Sequence, residues 1–207
     1  MKLPRQLLVA TRNPGKLREL QEILIDLPLL LIDLTLFPSV QDVPETGRTF
    51  GENASIKAIG YATQSKELTL ADDSGLEIDA LGGAPGVFSA RYLGESVSFS
   101  VRIESLLRLL SGVDPARRTA RFVCAVAIAD RDGNILHTSC GTCEGRIAAA
   151  PRGTSGFGYD PIFIPHRYES TFADLDPEVK NRISHRARAL EITREYLQNL
   201  TSCLDAD

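Results

Sequence analysis

The spacing of apolar positions changes several times along the chain, and the changes divide it into short strands and amphipathic helices. Gln6–Thr11 reads as a short apolar strand, and Lys16–Leu27 sets Leu17, Leu20, Leu24 and Leu27 at helical spacing. Leu29–Phe37 alternates well enough for a second strand, so the N-terminus predicts β-turn-α-β. Thr49 and Glu52 have capping-box spacing and open a helix to about Ser65. Leu68–Ala71 is then a strand that empties into the turn-like Asp72-Asp73-Ser74-Gly75.

Leu76, Ile78 and Ala80 alternate with Glu77 and Asp79, predicting a strand with one wet face before the loop GGAPG. Ser98–Leu110 has the pattern of an amphipathic helix, and Ala120–Ala129 with Ile135–Ser139 flanks DRDGN as a hairpin. Pro151–Pro165 reads as one long glycine-rich loop furnished with aromatics. Asp176-Pro177 opens a helical region, and Ser184 is placed to cap a second helix to about Leu200. A break there puts His185 and Arg186 at a helix start. Strands alternating with helices predict an α/β class.

Composition narrows the function classes. The 207 residues are 43% hydrophobic and 24% charged, which suits a single globular domain over residues 1–207, with room for a substantial core. Twenty-three Lys and Arg against 27 Asp and Glu give a net charge of −4, so no general attraction to nucleic acid or to an anionic membrane is expected. The first residues hold only a short apolar run, far below a signal h-region or a membrane span, which predicts a cytoplasmic protein. Of the four cysteines, Cys124, Cys140, Cys143 and Cys203, only Cys140 and Cys143 form a CxxC. No second pair completes a zinc ribbon, and the motif follows a strand-like stretch instead of opening a helix, so ordinary reduced thiols are expected.

Four stretches carry residue types suited to chemistry. TRNPGK lies between a strand and a helix, where backbone N–H groups and the helix dipole favour a phosphate and Lys16 adds a positive charge. It is not a Walker A loop, and a plain turn with a solvated lysine is an equal reading. Asp72 and Asp73 end a strand, with Glu45 as a third carboxylate; Mg²⁺ bound to a polyphosphate would suit them, and a solvated turn would also account for them. GTSGFGYDP joins small residues to Phe157 and Tyr159, which suits stacking on a base, or packing of Phe157 in the core. Ser184-His185-Arg186 offers cationic donors to an oxygen-bearing ligand. Taken together, the four fit a nucleoside triphosphate with Mg²⁺.

The motifs ATRNPGK, ETGRTFGENA, ADDSGLEIDALGGAPGVFSARY, GFGYDPIF and ISHRARAL occur in one order from about Leu7 to Leu200, and in them the chain closely resembles the inosine/xanthosine triphosphate pyrophosphatase family. The resemblance implies a mixed α/β fold with a long sheet flanked by helices, two lobes around a central cleft, Mg²⁺ dependence and a homodimer. It implies that Thr11, Arg12, Asn13, Pro14, Gly15 and Lys16 form the triphosphate loop, with Lys57 as a second phosphate contact and Ser74 as a substrate contact. Asp73 is implied as the catalytic base and a metal ligand, with Asp72 and Glu45 as its acidic metal-binding partners. Phe157, Gly158, Tyr159 and Asp160 are implied as the base pocket, and Lys180, His185 and Arg186 as the groups that recognise the purine. The activity so implied is hydrolysis of dITP, ITP or XTP to the monophosphate and pyrophosphate. A less selective pyrophosphatase or phosphatase is the nearest alternative, and a nucleotide-binding protein without hydrolysis is the alternative of another class.

Overall fold

The computed structural model describes residues 5–204. A strand β1 (Arg5–Val9) leads into helix α1 (Pro14–Leu24) and strand β2 (Leu29–Asp33). Helix α2 (Phe50–Ser65) precedes strand β3 (Thr69–Ile78), and helix α3 (Phe99–Leu109) precedes the long strands β4 (Thr119–Ala129) and β5 (Ile135–Ile147). A short strand β6 (Phe163–Pro165) and the helices α4 (Pro177–Ile183) and α5 (His185–Leu204) complete the chain. The six strands form one sheet in the order β2-β1-β3-β4-β5-β6. β1 is parallel to β2 and β3, and β6 is antiparallel to β5, so the sheet is mixed and the class is α/β.

Local chemistry explains most of the boundaries. Asn13 caps α1, with Pro14 in its first turn. Thr49 Oγ1 accepts from Glu52 N at 3.1 Å and starts α2 where the capping box predicts, and Lys66 in a left-handed conformation ends it. Ser184 is extended between α4 and α5, so the expected helix break is present. Leu29–Phe37 is corrected: the strand stops at Asp33, whose carboxylate accepts from Thr35 N and Oγ1 and turns Leu34–Leu36 into a 3₁₀ turn. Residues 151–165 are corrected too, since Asp160–Ile162 is a 3₁₀ turn and β6 follows it.

The largest correction is β3. The two strands expected on either side of DDSG are one ten-residue strand, and the aspartates lie in its middle. Eight of its ten residues are buried, the pattern of a strand covered on both faces. Successive side chains of a strand point to opposite faces, so Asp72 and Asp73 are held apart by the backbone between them.

Packing divides the chain into two compact units. Unit 1 comprises the described residues up to Asp73, then Cys124–Gly141, and the stretch from Arg186 onward; unit 2 comprises Ser74–Val123 and Thr142–His185. The core of unit 1 is aliphatic, with Leu7, Val9, Leu20 and Leu24 packed against Leu70, Val126, Ile128 and Leu190. The core of unit 2 is aromatic at its centre, where Phe122 lies 4.7 Å from Phe163 and 5.9 Å from Phe172 between ring centroids. Among the described residues Cys124, Cys140 and Cys143 form no disulfide; the side chain of Cys203 lies outside the described residues.

Candidate active site

In unit 1 the site grows from three elements: the N-terminus of α1, the inward side of α2 and the middle of β3. Asn13 Oδ1 accepts from Gly15 N at 2.9 Å and Lys16 N at 3.2 Å, and Asn13 N donates to Thr11 Oγ1 at 3.2 Å. Two amides expected to face a phosphate therefore point at the cap, and the positive charge at this end comes from the helix dipole and from Lys16. Lys16 Nζ lies 3.0 Å from Asp72 Oδ2. Arg12 turns to the surface and pairs with Asp42 at 2.5 Å, where both side chains are exposed and the contact contributes little. Pro14 is exposed as the first residue of the helix.

The two aspartates of β3 live in different surroundings. Asp72 is buried, and besides Lys16 it meets Arg186 Nη2 at 3.3 Å and the Cys124 thiol at 3.9 Å. Burial alone would raise its carboxyl, but Lys16, Arg186 and Lys57 outweigh burial and hold it well below the usual carboxylate range. The same burial, with Asp72 alongside, pushes the Cys124 thiol up to about 12, so it is not a nucleophile. Asp73 accepts from Asn53 Nδ2 at 3.1 Å and meets Lys57 Nζ at 3.3 Å, and the same ammonium lies 2.7 Å from Glu45 Oε1. Here burial wins: it raises the Asp73 carboxyl above its ordinary value despite Lys57 and Lys16, and Glu45 adds to the rise. Lys57 is raised, because Asp73, Asp72 and Glu45 overcome its own burial.

The two neighbouring carboxyls are thus shifted in opposite directions, Asp72 toward its charged form and Asp73 toward its protonated one. Such a division is the pattern by which two adjacent carboxyl groups take different roles in catalysis.

The donor set can be tested against Mg²⁺. Glu45 and Asp73 converge on Lys57, whereas Asp72 points to the other face of β3, where Lys16 and Arg186 hold it. Among the described residues no group of three His, Cys, Asp or Glu side chains is gathered as a metal cluster. The expected trio is corrected to a pair for this reason of strand geometry. A pair suffices for the chemistry, since Mg²⁺ commonly takes one or two carboxylates and completes its shell with water and substrate phosphates.

Arg186 is also placed differently from expectation. It belongs to unit 1, its side chain is 1% exposed, and its guanidinium pairs with both Glu19 and Asp72. A guanidinium held by two carboxylates organises the site, and the contacts it makes in unit 1 are ion pairs. The correction has a physical cause: Asp72 cannot stay ionised in the core without cations. Glu19 was not legible as a partner, although it lies three residues after Lys16 on the same helix and one turn away.

Unit 2 holds the aromatic loop. Asp160 Oδ2 accepts from Phe157 N at 2.8 Å and from Lys180 Nζ at 2.6 Å, and the Lys180 ammonium lies 4.9 Å from the centre of the Phe157 ring. Gly156 has φ +75°, and a Cβ there would come within 2.1 Å of Asp160 Oδ2, so only glycine lets the loop close on its carboxylate. Phe157 and Gly158 remain half-buried, and Ser74 is half-buried on β3. Tyr159 is corrected from the base pocket to the core: it is 3% exposed, donates to Ser89 O at 2.9 Å and meets Phe99 edge-on at 5.3 Å. His185 is buried with its ring stacked 4.7 Å from Phe122, again a core position.

With the geometry in place, comparison with known proteins assigns the lineage. The sequence signature of the Ham1 family matches residues 7–196, a span that contains every residue of both clusters. The chain belongs to the Ham1 family. A dITP/XTP pyrophosphatase of Desulforamulus reducens is 49% identical over 195 residues, covering 94% of this chain and 96% of that protein. A solved HAM1 protein of Coxiella burnetii shares the fold at a TM-score of 0.85 with 46% identity, covering 94% of this chain and 99% of that one. A Mycobacterium abscessus structure described as a nucleoside-triphosphatase and dITP/XTP pyrophosphatase gives a TM-score of 0.73 at 42% identity, covering 91% and 98%. Among the described residues of this Ham1 protein, no helix is long and apolar enough to cross a membrane.

Proposed function

We propose that this Ham1 protein hydrolyses noncanonical purine nucleoside triphosphates, dITP, ITP and XTP, to the monophosphate and pyrophosphate. The observation that carries the proposal is the divided pair on β3, with Asp72 fixed as an anion between Lys16 and Arg186 and Asp73 raised beside Lys57. Names carried by relatives of 42–49% identity support the substrate class. In this account a water attacks the α-phosphorus and Asp73 orients it and takes its proton. Lys16 and Lys57 balance the charge that develops as pyrophosphate leaves. Glu45 and Asp73 are the residues that would hold Mg²⁺, which when bound supplies charge neutralisation to the polyphosphate.

The base is proposed to stack on Phe157, and Lys180 to donate toward the purine oxygen at C6. An ammonium has N–H donors only, so adenine, which presents an amino group there, would leave a buried donor unpaired at about 1–3 kcal/mol. Phe157→Ala is expected to raise KM for dITP about tenfold with kcat little changed, because stacking is lost and the phosphate machinery is not. Steady-state kinetics on Mg–dITP measure both, and an unchanged KM would remove Phe157 from the base site. A homodimer is part of the same proposal, and light scattering on the pure protein is expected to give twice 22.6 kDa.

The decisive assay incubates the protein and Mg²⁺ with dITP, XTP, dGTP or dATP and identifies the phosphate released. Pyrophosphate from dITP and XTP, with little turnover of dATP, is expected. Orthophosphate as the first product would favour a phosphatase, and binding of dITP without any release would favour a sensor.

A further inference from the structure

Asn53 carries none of the roles given above, yet it is fully withdrawn from solvent on the inward side of α2, four residues before Lys57. Its side chain makes two bonds in opposite directions. Oδ1 accepts from Gly47 N at 2.7 Å, and Nδ2 donates to Asp73 Oδ2 at 3.1 Å. Gly47 N can only donate, so the amide oxygen must face the loop and the NH₂ must face the carboxylate. The loop it grips, residues 45–47, is the one that delivers Glu45 to Lys57.

We propose that Asn53 is a positioning residue for the reaction: it fixes the plane of the Asp73 carboxylate and, through Gly47, ties that base to the strand of chain that carries Glu45. The inference rests on the pyrophosphatase function proposed above. Lys57 meets Asp73 Oδ1 and Asn53 meets Oδ2, so each oxygen has its own donor and the remaining lone pairs are aimed. Rotation of a carboxylate about its last bond is otherwise soft, and Lys57 alone grips one oxygen. A base displaced by about 1 Å from its line to the attacking water costs about a hundredfold in rate.

Gly47 reinforces the argument from the other side. A Cβ at Gly47 would lie 2.7 Å from Asn53 Oδ1, 2.7 Å from Glu52 Cβ and 2.9 Å from Asn53 N. All three atoms belong to residues at the start of α2, two of them to Asn53 itself, so a methyl group there must push Asn53 off its place or lift the loop. The absence of a side chain at residue 47 is what lets the amide bond close.

Two variants, Asn53→Ala and Gly47→Ala, test the proposal by steady-state release of pyrophosphate from Mg–dITP. Asn53→Ala is expected to lower kcat about a hundredfold with KM within about threefold of wild type, and Gly47→Ala to lower kcat about tenfold or more. On an Asp73→Asn background, Asn53→Ala is expected to cause no further loss of kcat, since a group that acts through Asp73 has nothing left to position. A kcat within about threefold of wild type for Asn53→Ala, or a full additional hundredfold loss on the Asp73→Asn background, overturns the proposal. If Asn53→Ala does not fold, Gly47→Ala decides on the same terms, and an unchanged kcat there overturns it. Wild-type protein that releases no pyrophosphate would sink the pyrophosphatase function itself, whereas active wild type with unaffected variants would sink only the role of Asn53.

Discussion

Asp73→Asn is expected to lower turnover of dITP by about a thousandfold while the protein stays folded. The rate loss follows from removing the group that takes the proton, a contribution of about 10²–10⁴ in general base catalysis. The stability follows from the sign of the shift at Asp73, which burial raises above its ordinary value. A carboxyl whose folded pKa lies above its unfolded value binds its proton more tightly in the folded chain. Ionised Asp73 therefore costs stability above its folded pKa, and that cost disappears as pH falls through it. An amide carries no such cost; its oxygen accepts from Asn53, its NH₂ replaces the oxygen that faces Lys57 so that this contact is lost, and Lys57 keeps its contact with Glu45. Thermal unfolding with a pyrophosphate-release assay measures both, and near wild-type turnover in a folded variant would remove Asp73 from the chemistry.

Arg186→Met has the opposite profile. The guanidinium is buried against Asp72 and Glu19, and removing it leaves both carboxylates short of a cation in the core. Breaking a buried pair in this way costs about 3–5 kcal/mol, a fall of about 10 °C in melting temperature for a chain of this size. The loss should shrink in acid. Asp72 is held below its usual range by Lys16, Arg186 and Lys57 against the pull of burial, so its stabilising charge is present above the unfolded pKa of a carboxyl and is lost as pH falls toward its folded value. Without Arg186 the carboxyl takes up its proton sooner, and urea midpoints of variant and wild type should converge as pH drops. A variant that melts like wild type but turns over dATP as well as dITP would instead make Arg186 a reader of the base.

The fold was legible wherever a local rule decided the outcome. Thr49 with Glu52, and Ser184 between two helical runs, act within one turn of the chain, and both boundaries stand where the capping chemistry predicts, whereas the helix read as Lys16–Leu27 runs from Pro14 to Leu24 because Asn13 caps it. The site was legible as a set of residue types, since Lys16, Lys57, Glu45, Asp72 and Asp73 do assemble in unit 1. Partnership at long range was not legible. Asp72-Asp73-Ser74-Gly75 has the composition of a turn, and only the cations supplied by α1, α2 and α5 allow it to run as a buried strand. Tyr159 and His185 fit a ligand pocket by type, but each fills the aromatic core of unit 2, where Tyr159 meets Phe99 edge-on and His185 stacks on Phe122. Asn53 carries no signal in the sequence, because an asparagine inside a helix most often marks nothing; its meaning appears only with Gly47 and Asp73 on either side of it.

The central claim is that water attacks the α-phosphorus of a noncanonical purine triphosphate beside Asp73. Hydrolysis of dITP in ¹⁸O-enriched water, with mass analysis of both products, tests it most directly. The account predicts one labelled oxygen in the monophosphate and none in the pyrophosphate. Label in the pyrophosphate, or release of labelled orthophosphate, would contradict it.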